Sequence, residues 1–199
     1  NSITTATQQT HVGANAGLSL TTGNGSSFMG YNAGSSTTTG AWNTVVGRAA
    51  FSSNTTGGAN VVMGVNALQN NTTQGENVAV GYQALMTATA NNNVAVGNEA
   101  GEKTTTGYAN VYIGMRAAEE STSAYQATAV GAYALDDCTT GIKNTALGWD
   151  AGGDVSTGGH NVYVGTASGN NHTTGSNSIY IGNGSAASAG GEGQAICMG

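Results

Sequence analysis

The sequence has no proline, only two cysteines, and charge on just 7% of its 199 residues. Typical globular proteins are about 25% charged. Lys and Arg together number four, and the net charge is −6. Binding nucleic acid through its phosphates needs clustered cations, so that class of function is excluded. No run of about 18 apolar residues occurs, so no transmembrane helix is expected. No charged segment followed by an apolar stretch marks a signal peptide. The first residue is Asn1 and not Met, which suggests a processed form or a fragment. Cys138 and Cys197 show no CxxC spacing and are too few for a disulfide framework.

Gly, Asn, Thr, Ser and Ala fill much of the remainder, with 33 glycines. Polar, Gly-rich chains are often disordered. This one instead has β-branched and aliphatic residues at fixed intervals. Twelve glycines set the interval: Gly13, Gly30, Gly47, Gly64, Gly81, Gly97, Gly114, Gly131, Gly148, Gly165, Gly182 and Gly199. Ten of the eleven spacings are 17 residues and one, Gly81 to Gly97, is 16.

Positions can be counted from each anchor glycine. Position −1 is always aliphatic, from Val12 to Met198, and position −3 is Val, Ile, Thr or Ser in most repeats. Position −4 is Asn at Asn43, Asn60, Asn77, Asn93, Asn110, Asn144 and Asn161. Position +3 is Ala in nine repeats, from Ala16 to Ala151, and a Thr-Thr-Gly turn precedes most phrases, as at Thr38–Gly40. Seventeen residues are too few for a helix pair with its turns. The alternation and the β-branched content predict a short strand ending at each anchor. Stacking such units gives an all-β parallel β-solenoid of about twelve coils over residues 10–199, with residues 1–9 as an N-terminal cap or docking segment. Coils about 4.8 Å apart make a rod of roughly 55 Å.

In this reading positions −1 and −3 point into the coil and −2 points out. The anchor glycine takes a turn that a Cβ forbids. The asparagines bond turn backbone and one another along the axis. The −2 column runs His11, Phe28, Val45, Val62, Ala79, Ala95, Tyr112, Ala129, Ala146, Tyr163, Tyr180 and Cys197. Facing outward, it is an apolar stripe of the kind that marks an interface. Three rods joined by it would share one core, which a thin coil of Val, Ile and Ala would need.

The phrase Asn-Val-Ala-Val-Gly-x-x-Ala at Asn77–Ala84, with relatives at Asn93, Asn110, Asn144 and Asn161, resembles the head repeat of trimeric autotransporter adhesins. Together with the Thr139–Gly141 turn, and with Asn177–Ser185 as a closing repeat, it is also similar to bacteriophage tail-fibre repeats that precede an endosialidase-type intramolecular chaperone. The resemblance implies a homotrimer of left-handed β-rolls, extracellular, cell-surface or virion-borne. Such a protein serves as a fibre shaft or an adhesive head binding a surface glycan or cell-envelope receptor, without inserting in a membrane. The unit departs from the adhesin head repeat, which is shorter than 17 residues, and the chaperone that the resemblance implies is expected to have been cut away or released after assembly. A self-assembling extracellular filament is the alternative.

Candidate chemistry is sparse. Glu102, Glu119 and Asp136 at position +5, with Glu120, Asp137 and Asp154 at +6, form an acidic ladder. Like charges stacked across a sheet destabilise it, and Ca²⁺ would relieve the repulsion. Solvated loops are the simpler account. Paired carboxylates also suit a glycosidase, but nothing singles out one pair, and no enzyme or resident cofactor is expected. Trp149, Asp150, Tyr133 and Tyr82, one and two residues past their anchors, are candidate glycan contacts. His11, His160 and His172 fall in different columns. The Thr columns suggest ice binding, though consecutive threonines in a turn diverge.

Overall fold

The computed structural model describes residues 5–186 and 194–199. Its strands are β1 (Thr10–Val12), β2 (Ser27–Met29), β3 (Thr44–Val46), β4 (Val61–Met63), β5 (Val78–Val80), β6 (Val94–Val96), β7 (Val111–Ile113), β8 (Thr128–Val130), β9 (Thr145–Leu147), β10 (Val162–Val164), β11 (Ile179–Ile181) and β12 (Ile196–Met198). They form one parallel sheet in sequence order. Each strand pairs with the next in register, at an offset of 17 residues except between β5 and β6, where Val78 faces Val94. The described residues thus form a parallel β-solenoid without helices, and eleven strand spacings give a length of roughly 53 Å.

Each strand is only three residues long because the anchor ends it. The anchor glycines from Gly13 to Gly182 adopt φ between +123° and +146°. A Cβ on Gly13 would lie 2.7 Å from the Gly30 carbonyl oxygen of the next coil. Glycine is therefore required twice, by its backbone angle and by the approach of the coils. Three further corners recur in left-handed backbone, at −5, +2 and +4; in one coil these are Glu76 (φ 61°), Gln83 (φ 55°) and Leu85 (φ 50°).

The buried −4 asparagines form the expected ladder. Asn60 Oδ1 accepts from Asn77 N–H at 3.0 Å, and Asn77 Oδ1 accepts from Asn93 N–H at 2.9 Å. Their amides also donate to turn carbonyls, as Asn43 does to Gly57 at 2.9 Å. Threonine hydroxyls at position +8 tie the opposite corner: Thr38 donates to Thr55 O and Thr105 to Thr122 O. Those hydroxyls are committed to the next coil.

The direction in which the strands face differs from the sequence expectation. Position −2 points inward. Phe28, Val45, Val62, Ala79, Ala95, Tyr112, Ala129, Ala146, Tyr163 and Tyr180 are all fully buried. Positions −1 and −3 face outward, with Val12, Met29, Met63, Ile113, Leu147, Val61 and Ile179 exposed. The core is also thicker than expected. The −2 column meets buried residues at +3 (Ala33 to Ala151), at +4 (Phe51, Leu68, Leu85, Leu135) and at +7 (Leu20, Cys138, Val155, His172).

Volume is balanced within and between coils. In several coils a small −2 residue sits with a large +4 residue, as in Val45 with Phe51, Val62 with Leu68 and Ala79 with Leu85; where Ala95 and Ala146 go with glycine at +4, the tyrosine ring of the next coil fills the space. Where −2 carries a ring, a glycine sits against it. A Cβ on Gly101 would lie 2.7 Å from Tyr112 Cδ2, and one on Gly152 2.7 Å from Tyr163 Cδ2. Neighbouring coils thus share the interior volume, and the −2 column is enclosed within the one chain. A shared inter-chain core is not needed for burial.

Residues 5–9 run along the first coil. Thr7 N–H donates to Asn24 Oδ1 at 2.9 Å, and Gln9 Nε2 to Gly23 O at 2.7 Å. The expected N-terminal segment thus packs in part on the corner before β2, and its first four residues lie outside the described ones.

Candidate functional site

Stacking brings the acidic residues of positions +2, +5 and +6 together across consecutive coils. Carboxylate oxygens of Glu99, Glu102 and Glu119 lie within 4.8 Å of one another. Glu99, at +2, was missed by the sequence reading because it belongs to a different column; its left-handed backbone (φ 56°) stands at the corner before the loop. Two cations answer this charge. Arg116 pairs with Glu119, and its guanidinium lies 3.9 Å from Asp136. Lys103 pairs with Glu120 and lies 3.7 Å from Glu119. Glu119 is the most enclosed carboxylate, and both cations reach it. The ladder is therefore neither fully splayed into solvent nor unneutralised.

Burial raises the Glu102 carboxyl above its usual range, and Glu119 and Glu99 raise it further, with Lys103 opposing. Asp136 is pushed up to about 6, chiefly by burial, against the pull of Arg116. Asp150 is also raised by burial and by Asp154 and Asp137. Glu99, Glu102 and Glu119 offer three carboxylates to a cation, and Ca²⁺ takes six to eight oxygens. Arg116 and Lys103 already engage one of the three. Asp136 belongs to the Arg116 pair, and Asp137 lies outside the trio.

The aromatic candidates divide into two places. Tyr133 and Trp149 meet edge to face across neighbouring coils, with centroids 6.4 Å apart and planes at 76°. The Arg116 guanidinium carbon lies 5.4 Å from the Tyr133 centroid. Trp149 is exposed. Arg116, Tyr133 and Trp149 therefore form a continuous surface strip over three coils. Tyr82 is exposed but four coils from Trp149, roughly 19 Å away along the axis. It does not share that strip. The Asp150 carboxylate folds back over Gly153.

The remaining polar candidates do not converge on one place. Tyr163 and His172 are buried together in the core, and His160 lies elsewhere on the exposed surface. Both cysteines are free; burial pushes the Cys138 thiol up to about 11. No helix among the described residues is long and apolar enough to cross a membrane. Comparison of the chain with protein-family models, with curated proteins and with solved structures returns no match.

Proposed function

We propose that the chain is a rigid segment of an extracellular fibre at a phage or bacterial surface, a shaft or adhesive head that assembles as a homotrimer and has no catalytic role. The observation that carries this reading is the outward face of the sheet. Its −1 column is aliphatic in all twelve strands and is exposed or half-buried throughout, and the −3 column beside it adds Val61, Val78, Val94, Val111, Val162 and Ile179. A soluble protein rarely leaves an apolar strip of this length uncovered. The strip is not the −2 column anticipated from the sequence, but it serves the same argument for an interface.

Its size limits the arrangement. Three residues of strand width over twelve strands give roughly 500 Å². A standard interface covers about 800 Å² on each partner. The next column in sequence, position +1, adds exposed Tyr31, Val65, Tyr82, Met115 and Trp149, and these residues would complete the contact. A trimer, in which each rod meets two others, uses both flanks of such a strip. Adhesion is assigned to the outer corners, where side chains vary from coil to coil.

Size-exclusion chromatography with light scattering tests the assembly. A discrete species of three chains supports a fibre segment. Open-ended polymers favour the filament reading, and a stable monomer removes both.

A further inference from the structure

The coil between Gly81 and Gly97 is one residue short, and the missing residue belongs to the corner. Neighbouring coils read Thr72-Thr73-Gln74 and Thr105-Thr106-Gly107, whereas this one passes from Thr89 directly to Ala90. The inter-coil ladder breaks there. Thr55 N–H donates to Thr72 O and Thr89 N–H to Thr105 O, but no bond joins Thr72 to Thr89. Likewise Glu76 N–H donates to Gly58 O, while Asn92 N–H makes no corresponding bond to Gly75. Gly75 N–H turns instead to Asn91 Oδ1 at 3.0 Å. Thr72 N–H, Thr89 C=O and Asn92 N–H are left without protein partners among the described residues.

The shortened corner opens a groove of about 380 Å³ lined by Gln74, Thr89, Ala90, Asn91, Asn92 and Tyr108. That is at the lower end of the roughly 300–1,000 Å³ of small-molecule sites. Tyr108 is fixed from the next coil by stacking on Tyr125, with centroids 5.2 Å apart and planes at 3°. It gives the groove one rigid aromatic wall.

We propose that this groove binds an uncharged sugar unit of a surface glycan. This deepens the attachment role proposed above and rests on that reading for its biological setting. The lining selects the chemistry by exclusion. No Lys or Arg is present to hold phosphate, sulfate or sialic acid. No carboxylate is present to hold a cation or an amine. The wall has too little hydrocarbon for a lipid. What remains is a set of amides, the Tyr108 hydroxyl, and the unpaired Thr89 C=O and Asn92 N–H beside an aromatic ring; the Thr89 hydroxyl is already committed to Thr105 O. Sugar hydroxyls both donate and accept, so they match a mixed set of this kind. The C–H face of a pyranose packs on an aromatic ring, and Tyr contributes that apolar body with a polar tip. The site is particular to this coil, because only this corner is one residue short.

The test is titration of the intact protein, followed by amide chemical shifts or calorimetry, against neutral hexose and N-acetylhexosamine oligosaccharides, with a sialylated and a sulfated oligosaccharide alongside. Three variants are compared: Tyr108→Ala, Trp42→Ala at an exposed corner three coils away, and insertion of one threonine between Thr89 and Ala90. The expected result is saturable binding of a neutral oligosaccharide that falls at least tenfold in Tyr108→Ala and in the insertion variant. The Trp42→Ala variant is expected to bind as the parent does. The insertion restores the 17-residue coil, so its thermal midpoint should hold or rise while binding is lost. If it fails to fold, Tyr108→Ala, at an exposed position, still decides the matter. No saturable response to any neutral oligosaccharide overturns the proposal. So does binding of acidic glycans alone, or binding lost in Trp42→Ala and kept in Tyr108→Ala. Light scattering reads the oligomer independently, so failure of the fibre reading and failure of this site are distinguishable.

Discussion

The Tyr163 hydroxyl lies 2.6 Å from Nδ1 of His172, nine residues on in the same coil. Tyr112 repeats the relationship with Ser121, its hydroxyl 3.0 Å from Oγ. In both coils a ring at −2 crosses the interior and meets a polar residue at +7. A buried tyrosine needs such a partner, and small neighbours supply the room. Tyr163 also stacks on Tyr180 of the next coil at 5.6 Å and 7°. Truncating Tyr163 to Ala is expected to cost about 3–5 kcal/mol, the range for large aromatic cavities. Tyr163→Phe should cost only about 1–3 kcal/mol, the range for losing a buried hydrogen bond, here the one between the Tyr163 hydroxyl and His172 Nδ1. Urea unfolding of both variants checks the order; equal losses would refute the distinction.

Core volume is expected to be exchangeable between columns. Gly34 lies so close to Phe28 that an added Cβ would overlap the ring. Gly34→Leu alone should destabilise by about 2–3 kcal/mol through overpacking. Combined with Phe28→Val it recreates the Val62 and Leu68 pair found two coils away, where Leu68 already holds φ 48°. The double variant should recover most of the loss, with a coupling energy of about 1–3 kcal/mol in a double-mutant cycle. Additive losses would show that the coils do not trade volume.

The asparagine ladder has a gap at Ala127. This residue's N–H donates to Asn110 Oδ1 at 2.9 Å, but its methyl offers nothing onward to buried Asn144 N–H. Ala127→Asn should therefore stabilise by about 1 kcal/mol, the net value of a typical hydrogen bond. Asn77→Ala, which strips a partner from Asn93 N–H, should destabilise by about 1–3 kcal/mol. Thermal midpoints of the two variants must move in opposite directions.

Period and class were legible in the sequence because the anchor glycine tolerates no substitute: another residue would strike the next coil. The facing of the strands was not. Alternation with period two says that −2 opposes −1 and −3, but not which of them is inside. The usual guide, larger aliphatics inward, fails in a coil this narrow. Val78 and Val80 lie outward while Ala79 between them is buried, because the interior opposite already holds Ala84 and Leu85. The site candidates were legible only in part for a similar reason. Glu102 and Glu119 share a column and could be paired by counting, whereas Glu99 joins them from another corner. The single 16-residue spacing did mark the groove, but its lining draws Gln74 and Tyr108 from the coils on either side.

Acidification should stabilise the rod over part of its range. Folding raises Asp136 to about 6 from an ordinary value near 3.8, so the folded chain holds that proton more tightly than the unfolded chain does. Stability withheld by this group at neutral pH returns as pH falls through 6 towards 4. Glu102 and Asp150, also raised, act in the same direction. His11, lowered by burial, acts oppositely, its contribution being lost as pH falls below 6.5. Asp136→Asn separates these effects. It should raise the thermal midpoint at pH 7 and flatten its rise between pH 6 and 4. A parent and variant with parallel profiles would remove Asp136 as the source.

The outward strip makes the sharpest demand on the fibre proposal. Val61, Met63 and Ile113 are exposed on the sheet face, so lysine at each position meets water in an isolated rod and costs little there. In an assembly the same lysines would be desolvated beside apolar partners and beside one another, at several kcal/mol per uncompensated charge. Val61→Lys with Ile113→Lys should therefore abolish the oligomer while leaving the solenoid's circular dichroism and its monomeric unfolding intact. The equivalent change in the core, Val62→Lys, should prevent folding, because position 62 is fully enclosed. The two columns are adjacent in sequence and chemically alike, so the contrast tests which way the strand faces as well as what covers it. If the outward lysines leave a trimer undisturbed, the interface lies on another face, and the loop corners become the surface to search.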